Sequence, residues 1–285
     1  MSPLDHAAAA TAPTFARAEL MTFSPRRVYG LVLRHLYLLR GSWTRIAELI
    51  YWPMINVVMW GFFSRFFVNH SEWVAQAAGV LIGAALLWDV LFRSNLGLSV
   101  SFLEEIWSRN LGHLAVSPLT SVELAAALLS MSLIRTIAGM LPSAIGALLL
   151  YHFNVFDLGL PLLAFFVNLI ITGWAFGLGV SALVLRYGQG AESLAWVIIV
   201  AIAPFCGIYY PVSTLPEWLQ PVSWALPPSH VFEGMRAVAF GGTFPLHELA
   251  ITIGLNLVYL AIGAGLFIWV NHIARVRGLF IGMGE

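Results

Sequence analysis

Lysine is absent from this chain; all 14 basic residues are arginine. A P-loop ATPase needs a Walker A lysine to grip the β- and γ-phosphates of its nucleotide, so any work driven by ATP must draw on another polypeptide. Cysteine occurs once, at Cys206, which excludes an intrachain disulfide and a cysteine-built zinc site. A buried, inert small residue is the reading that a lone cysteine supports. Charge is scarce: 10% of residues are charged and 60% are hydrophobic, where a soluble domain carries about 25% charged residues. Lipid must cover the surplus apolar surface. The net charge of zero offers no basic field, and no nucleic acid partner is expected. No HExxH or GxSxG pattern occurs, so no catalytic residue and no metal site is assigned. His230 and Glu233, one turn apart, read as a hydrogen-bonded pair. No internal repeat is visible, which argues against a secondary transporter built from inverted repeats.

What the chain has is long apolar runs. A helix needs roughly 20 apolar residues to span a bilayer, and six stretches qualify by pattern: 49–67, 74–100, 122–151, 160–185, 193–210 and 246–273. The fold class expected is all-α integral membrane, with six transmembrane helices in a domain over 49–273. Residues 1–23, rich in Ala, Pro and Thr, read as a disordered cytoplasmic tail. Residues 24–48 mix five arginines with Val28, Leu31, Val32, Leu36, Leu38 and Leu39, the pattern of an amphipathic helix lying in the interface. Residues 211–245 carry Pro211, Pro216, Pro221, Pro227 and Pro228 and are too broken to span; a re-entrant helical hairpin before the last span fits them. Such backbone survives at membrane depth only when protein or a water-filled cavity shields it. Residues 274–285 form a second tail.

Arginine placement sets the orientation. Six arginines precede the first span and Arg275 and Arg277 follow the last, with Arg109 and Arg186 on the same side. Arg65 and Arg236 lie on the other. Both termini are therefore expected in the cytoplasm of a multi-pass protein.

Four sets of residues stand out. The loop 101–121 puts Glu104, Glu105, Arg109 and His113 on a cytoplasmic helix, which is either a docking knob for a soluble partner or a solvated helix. Asp89, Arg93 and Arg135 lie inside spans, where an unpaired charge costs about 2.5–3.5 kcal/mol. They read as a polar clasp in which one acid serves two arginines; a place on the substrate path is the alternative. Gly173 and Gly177 form a GxxxG pattern suited to close helix packing, within the chain rather than between chains. The first span is crowded with Trp52, Trp60, Phe62, Phe63, Phe66 and Phe67, as interface anchors or as the lining of an apolar path.

Two stretches resemble the membrane subunit of ABC-2 type, or type V, ABC exporters. FLEEIWSRNLGHLAVSPLTSVELAAALL, from Phe102, is similar to the family's coupling loop. IYYPVSTLPEWLQPVSWALPPSHVFEGMRAV is similar to its signature after the fifth span, with Pro211, Leu215, Pro216, Leu219, Leu226, Pro227 and Arg236 matching. The resemblance implies a permease that is not itself an enzyme. It implies a homodimer or a paired half-transporter served by two ABC ATPase subunits, with ATP and Mg held on the ATPases and no cofactor in this chain. The segment 102–113, Phe102 included, would fit the ATPase cleft. Pro211, Leu215, Pro216, Leu226, Pro227, Glu233 and Arg236 would shape the outer exit. The expected cargo is an amphiphile such as a lipid, lipid-linked glycan, drug or natural product, moved outward across a bacterial inner membrane. The all-arginine usage fits a GC-rich bacterial genome. A self-contained secondary transporter or channel is the alternative reading.

Overall fold

The computed structural model describes residues 23–68, 72–241 and 245–277. All regular structure among them is helical. In chain order the helices are α1 Pro25–Arg40, α2 Trp43–Val68, α3 Glu72–Trp107, α4 Leu111–Val116, α5 Ser121–Tyr151, α6 Leu160–Tyr187, α7 Leu194–Ile202, α8 Gln220–Trp224, α9 Pro227–Gly241 and α10 Leu246–Arg277. Helix is what a bilayer demands, because each backbone N–H and C=O must find its partner within the segment. The expected tail at 1–22 lies outside the described residues, as do 278–285 of the second tail.

Among the described residues, five helices are long and apolar enough to cross a membrane: α2, α3, α5, α6 and α10. The expected span at 193–210 is shorter than its apolar run. Helix α7 gives way to a 3-10 turn at Ala203–Phe205, where Pro204 offers no N–H to a helical ladder. Together they measure about 18 Å by helical rise, against a hydrocarbon core of roughly 30 Å. The interfacial helix also ends sooner than expected, at Arg40 rather than at 48. Gly41 caps it through an N–H donated to the Tyr37 carbonyl, and Trp43 already belongs to α2.

Side-chain pairings fix the helix directions. Helices α3 and α5 run antiparallel, with Ser132 Oγ donating to the Ser94 carbonyl at 2.6 Å. Helices α6 and α10 run the same way: Asn168 and Thr172 meet Asn256, and farther along Ala175 meets Gly263. Two parallel neighbours need a return connection, and residues 188–245 supply it. The chain leaves α6 at the α4 end, where Trp107 Nε1 donates to Glu192 at 3.2 Å. It then runs along α3 until Ile199 and Ile208 join a cluster with Ala84, Leu87 and Leu91.

Helix α6 lies between α3 and α10, and its small residues allow that. A Cβ on Gly173 would fall 1.8 Å from Ser94 Oγ and 2.8 Å from the Leu91 carbonyl oxygen. The GxxxG face is thus used inside the chain, against α3. At the α4 end the core is built on Phe102, which meets Phe267 edge-to-face at 5.7 Å. Along its most apolar stretch α2 buries only 17% of its residues, against 72% for α3. Helix α2 therefore turns its apolar side, with Tyr51, Ile55, Phe62 and Phe66, away from the bundle.

Candidate functional site

The cytoplasmic-side knob predicted from sequence is built differently from expectation. Helix α3 continues unbroken to Trp107, so Glu104 and Glu105 stay within the bundle and are 5% and 0% exposed. Phe102 is fully buried as well. Glu104 accepts from Arg135 Nη2 at 2.7 Å and from Arg45 Nη1 at 3.1 Å. Glu105 accepts from Arg34 and, at 2.6 Å, from Asn110 Nδ2. The buried His35 ring sits between the two acids, 3.5 Å from Glu104 and 3.2 Å from Glu105. Phe102, Glu104 and Glu105 are corrected from contact residues to internal ties. Buried carboxylates need paired donors, and here α1, α2 and α5 provide the arginines.

Outside lie Trp107, Arg109, His113 and Val116, with Ser108 and Pro118 beside them. Arg109 adopts a left-handed φ of 53° and ends α3. The Asn110 N–H reaches back to the Glu105 carbonyl at 2.9 Å and the Arg109 N–H to that of Ile106 at 2.9 Å, which satisfies carbonyls that the helix end would leave open. The segment after α4 is tied down on its far side. Arg275 Nη2 donates to the Leu119 carbonyl and Asn271 Nδ2 to Ser121 Oγ, both at 2.7 Å. Thr120 and Glu123 form a capping box at the start of α5. The same Glu123 carboxylate accepts from Arg27 and from the Ser24 N–H, both at 2.6 Å, so it pins α1 too.

The intramembrane clasp is also rearranged. Arg93 Nε donates to Asp89 at 2.7 Å, one turn back on α3, while Arg135 takes Glu104 as its acid. Asp89 does not serve both Arg93 and Arg135: Arg93 has Asp89, and Arg135 shares Glu104 with Arg45. The register explains it. Gly97 lies against Ser132, which sets Arg135 between the levels of Asp89 and Glu104, and its side chain extends toward the α4 end. Between α2, α3, α5 and α7 these charges line one cavity of about 570 Å³, with Trp52, Phe92, Leu96 and Trp196 as its apolar wall.

At the opposite end, Glu233 on α9 accepts from the Val212 N–H at 2.7 Å and pairs with Arg236 at 3.0 Å. Arg236 also donates to the Ile208 carbonyl at 3.4 Å, so the pair fastens the turn 208–212 to α9. Pro211 and Pro216 are exposed, Leu215 is half-buried, and Leu226 and Pro227 are buried where α8 meets α9. The expected His230–Glu233 pair is not formed. His230 lies 2.6 Å from Glu248 on α10 and 2.9 Å from the Trp224 carbonyl oxygen, because its face of α9 packs on α10.

Sequence reasoning missed the partners: Arg27, Arg34, His35, Arg45 and Glu123. Two signals carry some of them. Arg27, Leu31, Arg34 and His35 recur at helical spacing on one face, and Thr120-x-x-Glu123 before an apolar run is a capping-box pattern. Among the described residues no three His, Cys, Asp or Glu side chains gather as a metal site.

The sequence matches the ABC-2 type transporter family over residues 36–240, more than half of the chain. The chain belongs to the ABC-2 type transporter family. Its matched range runs from α1 into α9, and so takes in the ion-paired end of α3, the cavity and the Glu233–Arg236 tie. This ABC-2 permease is a multi-pass membrane transport subunit. Among proteins with curated descriptions, none matches the chain.

Proposed function

We propose that this ABC-2 permease is the membrane half of an ATP-driven exporter, paired with a second copy of itself and with two ATPase subunits that bind ATP and Mg. The observation that carries the reading is the exposed patch of Trp107, Arg109, His113 and Val116, backed by buried ion pairs to α1, α2 and α5. A push on that patch reaches three helices through bonds, without a flexible joint between.

Six crossings fit the path of the chain, the return segment 188–245 being the fifth, with α8 and α9 as a hairpin re-entering from the outer side. The arginine-rich α4 end faces the cytoplasm by the positive-inside rule, with both termini there and the outer face toward α9. The setting is the inner membrane of a bacterial cell. Cargo is an amphiphile: the cavity combines charge with tryptophan and opens between α2 and α7, where Trp52 is 57% and Trp196 39% exposed. The exposed apolar side of α2 is offered to the second copy and to lipid.

Affinity purification of the full chain from native membranes is the test. An ABC ATPase that co-elutes in equal number, with a detergent-solubilised mass corresponding to two copies of each chain, supports the reading. Transport by the purified chain alone under an ion gradient overturns it.

A further inference from the structure

We infer that Trp60 and Tyr209 close the outer end of the cavity between α2, α3, α5 and α7, and that Glu233 and Arg236 are the positioning residues that hold Tyr209 there. The inference rests on the permease reading and names the residues that gate its path.

The cavity is polar along its length and shut at one end. On α3 its wall runs from Trp107 to Asp89, about 27 Å by helical rise. Its charges balance, Arg45, Arg93 and Arg135 against Glu48, Asp89 and Glu104, and none lies beyond the level of Asp89. Past that level two different contacts close the space. Between α2, α3 and α5 it is filled by Val57, Leu86 and Ala144. Tyr151 fits its ring into the notch at Gly61 and donates to the Val58 carbonyl at 2.8 Å, which keys α2 to α5. Towards the return segment the contact is a ring pair. Trp60 lies one turn past the cavity-lining Asn56 on α2, and its ring stacks on Tyr209 with centroids 4.0 Å apart and planes at 24°. Tyr209 in turn packs on the cluster of Leu87 and Val90, level with Asp89. The stack therefore stands over the end of the cavity.

The two rings belong to different bodies. Trp60 is keyed, with α2, to α5. Tyr209 sits in a turn that Gly207 opens at a φ of 58° and that α9 fastens. Arg236 donates to the Ile208 carbonyl at 3.4 Å, and Glu233 accepts from the Val212 N–H at 2.7 Å. A flat ring pair between two bodies can part by the small sliding that shear motions supply, whereas the Gly61–Tyr151 notch interlocks.

The test is labelling of Leu96→Cys by a membrane-impermeant fluorescein maleimide, in a C206A chain that has no other thiol. Leu96 lines the cavity between Asp89 and Glu104 and is half-buried. Inside-out membrane vesicles of the expressing cells offer the α4 end to the reagent, and right-side-out vesicles the α9 end. Labelling at least tenfold faster from the α4 end is expected. W60A and Y209A should each raise the α9-end rate at least tenfold, while W60F, which keeps a ring on Tyr209, should leave it within about threefold. E233A/R236A keeps both rings and strands no charge, and should raise that rate several-fold. A thiol placed instead at the fully buried Leu128, as L128C, stays unlabelled in a folded variant; W60L and Y209L serve if the alanine variants label there. Equal rates from both ends with the ring pair unaltered overturn the closure. An unchanged α9-end rate in folded W60A and Y209A overturns the ring pair, and in folded E233A/R236A the tie. Any of these beside a co-eluting ATPase removes the closure and leaves the exporter reading. The expected rates in a chain that brings down no ATPase remove the exporter reading alone.

Discussion

Arg135 donates to Glu104 across 2.7 Å, joining α5 to α3 with both side chains at least nine-tenths buried. The same carboxylate meets Arg45 on α2 and faces His35 on α1. Four helices therefore converge on one acid two turns or less from the exposed patch at Trp107. On the proposed reading of a permease driven by a partner ATPase, that convergence would make the end of α3 a rigid lever. Charge at this depth is retained because it orients several helices at once, while an apolar contact would hold only the area it covers.

Glu104→Gln tests the lever's integrity. Removing one partner of a buried pair leaves an uncompensated guanidinium and costs about 3–5 kcal/mol. The thermal midpoint of the detergent-solubilised protein should fall by many degrees. The apolar double exchange E104L/R135M should recover much of that loss, since Arg45, 41% exposed as a side chain, can turn to water. An E104Q midpoint equal to that of the unaltered protein would show that the pair does not hold the bundle.

Two glycines of α6 should respond in opposite ways. Gly173→Val drives a branched side chain into Ser94 and the Leu91 carbonyl, an overpacking that costs about 1–3 kcal/mol. Gly179 has nothing within 4 Å of its would-be Cβ. G179A should be neutral or stabilising by about 0.5–1 kcal/mol through helix propensity. Thermal melts of both variants decide the matter; equal losses would place α6 elsewhere than against α3.

Glu123→Ala should release α1. The variant keeps the Thr120 side-chain cap but loses the bond from the Thr120 N–H to the carboxylate, and with it charge-assisted bonds from Arg27 worth about 1.5–3 kcal/mol. Arg27 is 25% exposed as a side chain and can be solvated, so the bundle itself should persist. Hydrogen exchange should quicken across Pro25–Arg40 and stay unchanged across α6. Unaltered protection of α1 would assign its docking to Arg34 and Glu105 instead.

Much of the fold was legible, for a reason rooted in the solvent. A bilayer requires apolar runs of fixed length, and α2, α3, α5, α6 and α10 each contain one. The run 193–210 is as apolar as the others, so hydropathy could not separate it; what shortens it is Pro204 and the turn that follows. The site was less legible. Whether Glu104 faces water or arginine depends on α2 bringing Arg45 to it, 59 residues away in sequence, with His35 of α1 packed beside it. Likewise Arg135 finds Glu104 only through the α3–α5 register that Ser94, Gly97 and Ser132 set. Composition gave the inventory of charges, and tertiary register assigned the pairs.

The exposed patch should govern contact with the ATPase and nothing else. Trp107 is 48% and Val116 66% exposed, and Arg109 and His113 are exposed beside them. W107A gives up the exposed bond from Trp107 Nε1 to Glu192, and R109E changes the side chain but not the backbone bonds of the helix cap, so each should melt within about 1 kcal/mol of the unaltered protein. An aromatic or arginine anchor at an interface is worth about 2 kcal/mol or more. Either substitution should then cut the co-eluting ATPase by about 30-fold, since each 1.4 kcal/mol is roughly tenfold. Trp218, 76% exposed at the opposite end, provides the control: W218A should leave co-elution untouched. The contrast with E104Q separates the two roles, because that variant loses stability first and the ATPase only in consequence. Should W107A and R109E retain the ATPase in full while E104Q loses it in a folded state, the contact surface lies on the buried side of the lever and the assignment of the patch is wrong.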